Sequence, residues 1–227
     1  MMIPFERQIY NRSCGAAALT MVYKSFNIDC NQEEIWRNIS LPDSNGTLFT
    51  KSFCICRHAL NNGLSSIIVK VKDDRAWDTL KLCNGSAIRI ILNHRLDQHS
   101  HLGHYTVLLR IVDDAHIEIH DPQKGERQRL SKEVLKIKWH QRSSEDEITG
   151  RILIAFSRNN VDEAKCEFCG ANIPESIYCP SCRNEVFLHP KKVIGCIKKN
   201  CNGRNWDNII CPYCNNSIFR HGPSITV

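Results

Sequence analysis

The sequence predicts an α+β domain, with helices packed on an antiparallel sheet, followed by a small metal-dependent module. Three observations predict it. Apolar residues recur at helical spacing through the first third of the chain. Runs rich in Ile, Val, Leu and Tyr then take over, so helices and strands are segregated along the chain. Eight of the 13 cysteines follow Val161 in closely spaced pairs.

The first helix is expected from Cys14, which directly precedes Gly-Ala-Ala-Ala-Leu-Thr-Met-Val-Tyr. Asn11 and Ser13 are N-cap candidates, which places Cys14 in the first turn. There the free N–H groups and the helix dipole favour a thiolate. Gln8 lies a short loop upstream, and its side-chain amide can donate to an oxyanion. Against this stands the commoner role of a free cysteine, a small apolar residue on a buried helix.

Asn31 and Glu34 form a capping-box-like start for a second helix. Residues 41–47 read as a loop, and 50–61 as a third helix stopped at Gly63. Cys54 and Cys56, two apart on that helix, point different ways and are expected to fill core. A strand is expected over 66–72 and a short helix over 75–83. Four strands follow, over 87–92, 105–112, 116–120 and 151–156.

Two of these strands allow a test of register. With Asp113-Asp114 as a two-residue turn, Val112 pairs with Ala115 and Thr106 faces Asp121. His104 and Asp121 then become diagonal neighbours on one face, about 7–8 Å apart at the backbone. Of His94, His99, His101 and His104, His104 alone enters the apolar strand, after Gly103. The other three suit a polar turn or a casual metal site. His120 points to the opposite face, and Asp121 before Pro122 also suits an ordinary strand end. Together the residues outline an acyl-transfer site: Cys14 as nucleophile, His104 as base, Asp121 as its orienter and Gln8 as oxyanion donor.

Gln8, Cys14-Gly-Ala-Ala-Ala-Leu-Thr-Met, Gly103-His104-Tyr-Thr-Val-Leu and Ile119-His-Asp121-Pro resemble the bacteriocin-processing peptidases over about residues 3–156. These are papain-like cysteine proteases. The resemblance implies a papain-like fold and the same four site residues. It also implies cleavage after a small residue pair, often Gly-Gly, in a leader peptide. The chain departs from the exporter-linked members in carrying no membrane-spanning region and in its cysteine-rich C-terminal part. Papain-like relatives also use such residues for acyl or amide transfer. A peptide-holding adaptor and a nucleic-acid binder are further alternatives.

The expected domain plan is 1–157 for the peptidase domain, 158–165 for a linker, 166–216 for a double zinc ribbon and 217–227 for a tail. Cys166, Cys169, Cys179, Cys182, Cys196, Cys201, Cys211 and Cys214 suit two structural Zn²⁺ ions. The first four cysteines are expected to hold one ion and the last four the other, with interleaving as the alternative. Cys196 and Cys201 stand four residues apart, wider than the usual knuckle. Closed four-thiolate sites leave no position for chemistry.

The formal charge of +6 is mild and no block of like charge stands out. Lys191, Lys192, Lys198, Lys199 and Arg204 could reach phosphate, but acidic residues are interspersed, so a protein partner is expected rather than nucleic acid. The start lacks a secretory h-region, and no apolar run approaches the ~20 residues of a membrane span. Paired cysteines in such a chain argue for metal in a reducing cytoplasm, not disulfides.

Overall fold

The computed structural model describes residues 2–158 and 165–219. Most of the expected linker and of the expected tail lies outside them. Helix α1 (Cys14–Ser25) begins at the expected cysteine, and α2 (Gln32–Ile39) follows Asn31, whose side chain accepts from the Glu33 and Glu34 amides. The expected loop over 41–47 is instead the tip of a hairpin, β1 (Ser40–Pro42) and β2 (Leu48–Thr50). Asp43 closes it by accepting from the Asn45 and Thr47 amides. Then come α3 (Ser52–Asn61), β3 (Ser65–Val71), α4 (Ala76–Cys83), β4 (Arg89–Arg95), β5 (Gly103–Asp113) and β6 (His116–Asp121). The domain continues with β7 (Gly125–Ser131), α5 (Lys132–Trp139) and β8 (Ile152–Ser157). Strand β7 escapes the alternation test because it is a polar, largely exposed sheet edge.

The cysteine-rich part holds β9 (Ser176–Tyr178), β10 (Glu185–Phe187), α6 (Lys191–Ile194) and β11 (Trp206–Ile210). The main sheet has seven antiparallel strands in the order β11-β3-β8-β4-β5-β6-β7. One of its two edge strands, β11, therefore comes from the cysteine-rich part.

Side-chain alternation divides the core into two layers. Ile68, Ile91, Tyr105, Val107, Ile154 and Phe156 face the layer built by α1, α2 and α3. Val69, Leu92, Leu108 and Leu153 face the other, where they meet Leu135 and Trp139 of α5. That second layer runs on without a break into Ile173, Val186, Val193, Ile194, Trp206 and Ile209.

The hairpin that matters for the site reaches the expected alignment by another route. Asp113 pairs with His116, so the turn is Asp114-Ala115. Irregularities between Leu108 and Arg110 and between Ile111 and Asp113 then absorb the offset. By Val107 opposite His120 the strands stand in the expected register, one pair short of Thr106 and Asp121.

Ile209 is fully buried and pairs with Val69 of β3. Ile209→Ala should cost about 2–5 kcal/mol and speed amide hydrogen exchange in β3. Unchanged β3 protection would mean that the peptidase sheet does not depend on β11.

Candidate active site and cysteine clusters

Cys14 is the first residue of α1 and is buried. Ser13 occupies the N-cap position but does not cap. Its hydroxyl accepts from the Tyr10 amide (3.0 Å) and donates to the Tyr10 carbonyl (2.9 Å). No side chain caps the helix start and no acidic residue stands in its first turn, so Cys14 sits at the positive end of the helix dipole.

His104 is the second residue of β5, at the strand's end, and is buried. Its Nε2 lies 2.8 Å from Oδ1 of Asp121. The Cys14 thiol lies beside the same ring, close enough to act on its charge. Burial opposes a charge on the ring, but the Cys14 sulfur and the Asp121 carboxylate outweigh it and raise the imidazole to about 9.

Asp121 ends β6 and is also buried. Burial works to raise its carboxyl, yet the hydrogen bond and charge of His104 hold it well below the usual carboxylate range. The amides of Lys124 (3.1 Å) and Gln123 (2.9 Å) donate to the same oxygen and help to do so. Gln8 is tied to this turn: its backbone amide donates to the Pro122 carbonyl at 3.1 Å. Its side-chain Nε2 donates to the Tyr10 carbonyl at 3.2 Å, which fixes the amide beside the Tyr10-to-Cys14 turn. The structure thus brings Cys14 onto His104 and His104 onto Asp121, and ties Gln8 into the same turns.

The other histidines weighed in the sequence have their own partners. His120 lies on the opposite face; its Nε2 donates to the Ile3 carbonyl and its Nδ1 accepts from the Arg127 amide. His101 bonds to Asp146 and His99 to Gln98. His94 sits directly across from His104, with ring centroids 5.6 Å apart. Its Nδ1 donates to the Arg95 carbonyl (2.7 Å), so Nε2 accepts from the Thr106 hydroxyl (3.0 Å). Burial pushes its pKa well down, so it stays neutral beside His104. Sequence reading grouped His94 with the loop histidines; only the strand pairing brings it to the site. A cavity of about 340 Å³ lined by Phe5, Arg89, Glu118 and His120 contains none of the four site residues.

The eight paired cysteines form two groups, but not the sequential ones. Cys166 and Cys169 meet Cys196 and Cys201, while Cys179 and Cys182 meet Cys211 and Cys214. Extended strands immediately precede Cys179 and Cys211 and carry each of these knuckles away from the one before. Within each group the ligand atoms lie within 4.8 Å of one another, with closest sulfur pairs at 3.6–3.7 Å. Amides of Lys198, Gly203 and Tyr213 donate to Cys196, Cys201 and Cys211. Lys191 is buried against Glu175, and the Arg204 guanidinium stacks 3.5 Å over Trp206, so neither is free for phosphate. Among the described residues no helix is long and apolar enough to cross a membrane.

The peptidase domain of Streptococcus ComA, described as a bifunctional ABC transporter of a quorum-sensing pathway, has the same fold. The TM-score is 0.52 at 19% identity, covering 69% of this chain and 99% of that one. A double glycine motif protease from an AMS/PCAT transporter, solved with its leader peptide, aligns at a TM-score of 0.49 and 22% identity. That alignment covers 67% of this chain and 89% of the other. No curated protein matches the chain in sequence. The model of the peptidase C39 family matches residues 2–143, more than half of the chain. That span contains the cysteine-led helix and the histidine- and aspartate-bearing strands, and the chain belongs to the peptidase C39 family of cysteine peptidases.

Proposed function

We propose that the chain hydrolyses a peptide bond with Cys14 as nucleophile, His104 as acid and base, Asp121 as orienter and Gln8 as oxyanion donor. The observation that carries this reading is the buried chain from the Cys14 thiol through His104 to Asp121. His104 takes the thiol proton, and the thiolate sulfur adds to the scissile carbonyl carbon. The oxyanion accepts hydrogen bonds from the Gln8 side-chain amide and the Cys14 backbone N–H. Collapse breaks the C–N bond, and the imidazolium passes its proton to the departing amine. The thioester left on Cys14 is then attacked by a water whose proton goes to His104, and the acid is released.

The substrate class is a peptide cut after a small pair such as Gly-Gly. Family membership supports this choice, because the leader-processing members to which the residue pattern is similar share that preference. Peptides differing only at the two residues before the scissile bond test it; equal rates for Gly-Gly and bulky pairs would reject it.

Cys14→Ala and His104→Ala should abolish cleavage. Asp121→Ala should lower kcat by about 10²–10⁴-fold, and Gln8→Ala by about 10²–10³-fold. Activity of Cys14→Ala at the wild-type level would refute the nucleophile. The raised pKa of His104 sets the alkaline limb. Its proton is held up to about 9 and lost above, so kcat/KM should fall as pH rises through about 9. The same shift contributes stability that is full below the unfolded value of about 6.5 and is lost through about 9.

Iodoacetamide at pH 7 should label Cys14 before Cys30, Cys54 and Cys56. Burial pushes all three of those thiols up, Cys56 to about 12. Labelling at equal rates would remove the claim of an activated sulfur.

The two cysteine groups are read as closed structural Zn²⁺ sites. A tetrahedral ion with bonds of about 2.3 Å sets sulfurs about 3.8 Å apart, close to the 3.6–3.7 Å of the nearest pairs. Metal analysis should give two zinc per chain, and chelation should unfold the cysteine-rich part. One zinc per chain would mean that the wide Cys196–Cys201 turn does not close its site.

A further inference from the structure

Glu147 lies beyond the span matched by the family model. Its carboxylate bridges the two chain segments that carry Cys14 and His104. Oε2 accepts from the Gly103 amide at 2.8 Å, and Gly103 directly precedes His104. Oε1 pairs with the guanidinium of Arg12, two residues before Cys14. We propose that Glu147 is a positioning residue of the peptidase, holding the nucleophile turn against the histidine strand. The inference rests on the Cys14–His104 reading above.

Both ends of this bridge need holding. Arg12 has φ of +69°, a left-handed conformation that residues with a side chain rarely adopt. It is kept there in the turn that delivers Ser13 and Cys14. Its guanidinium is bracketed by Glu147 and the Phe49 ring of β2, whose centroid is 5.9 Å away. Gly103 is the residue at which β5 begins, so its amide sets where the His104 ring starts its reach.

Glu147 is itself anchored. Its backbone amide donates to the His101 carbonyl at 2.8 Å. The neighbouring Asp146 side chain is fully buried and accepts from the Arg142 amide (2.6 Å) and from His101 Nδ1 (2.8 Å). The Arg142 guanidinium donates to the Gln98, His99 and Ser100 carbonyls. At Gly150, φ is +75° and a Cβ would come within 2.9 Å of the Gln141 amide nitrogen, so the loop can close only on glycine. The 97–102 and 141–150 loops are thereby one unit, and Glu147 is its contact with the nucleophile turn.

An ordinary surface ion pair contributes little. With side chains 23% and 31% exposed, Arg12 and Glu147 could be read that way. The two readings part in kinetics. A positioning role predicts that Glu147→Ala lowers kcat by about 10- to 100-fold, since misplacement of about 1 Å is enough. KM should stay within about twofold, because the substrate-binding groups remain in place. Alkylation of Cys14 at pH 7 should slow by a similar factor to kcat. Glu147→Gln keeps an acceptor for the Gly103 amide, loses the charge for Arg12, and should fall between. Lys81→Ala, which breaks the exposed Lys81–Asp114 pair, serves as the surface control and should match wild type.

Wild-type kcat and alkylation in Glu147→Ala would overturn the proposal. So would a loss confined to KM, or one fully explained by an unfolded fraction in circular dichroism. If Glu147→Ala does not fold, Arg12→Gln cuts the same link with Glu147 in place. It should then lower kcat and alkylation together; wild-type values would again overturn the role. Failure of the underlying reading looks different, because Cys14→Ala would then retain activity whatever Glu147 does.

Discussion

The contact between His104 Nε2 and Asp121 Oδ1, 2.8 Å long and buried on both sides, constrains everything around it. Burying two opposite charges carries a desolvation cost that a single contact rarely offsets. Here the carboxylate also takes two turn amides, and the Cys14 sulfur beside the imidazole favours its charged form. The arrangement exists only while β5 and β6 keep one register. A slip of one residue would turn Asp121 to the opposite face and leave His104 without its carboxylate. The N-terminal segment helps to hold that alignment from outside. Ile3 accepts from His120, Arg7 donates to the Gln123 carbonyl, and Gln8 donates to the Pro122 carbonyl.

Charge is sorted around the site by burial and by hydrogen-bond direction. His94 and His104 are adjacent rings on paired strands, and only one of them can carry charge at low cost. Burial keeps His94 neutral, with its Nδ1 proton on the Arg95 carbonyl, so the positive charge settles on His104, next to Cys14 and Asp121. The cysteines of α3 follow the opposite logic. Cys54 and Cys56 lie in apolar surroundings that keep their thiols protonated, as the spacing on the helix implied.

Much of this was legible in the sequence because it rests on local rules. A cysteine heading an alanine-rich run marks a helix start, and Asn31 with Glu34 marks another. The His104–Asp121 pairing needed only strand alternation, although the turn assumed for it was one residue early. The count survived because the irregularities in β5–β6 cancel that offset before the site is reached. What escaped reading depends on contacts distant in sequence. Arg12 and Glu147 are ordinary charged residues until the α5–β8 loop folds onto the β4–β5 loop. Likewise nothing in eight cysteine spacings states which knuckles share an ion. That follows from where the intervening strands run, and it replaced the sequential pairing with an interleaved one.

The interleaving also bears on how the cysteine-rich part joins the sheet. A module that only recruits partners would need no share in the catalytic domain's sheet. Yet β11 lies on the β3 edge, and its apolar residues join the layer beneath α5. An uncovered β3 would offer unpaired backbone groups to other chains, a hazard that natural sheets avoid. Cys201 precedes β11 and Cys211 follows it, and the two belong to different cysteine groups. This edge strand is therefore flanked by one cysteine group at each end. Sequential pairing would have put both flanking cysteines in a single group and left the first group with no member beside β11. On this arrangement the cysteine clusters flank the β11 edge of the sheet, at the far end of the strand order from β5 and β6, which carry His104 and Asp121.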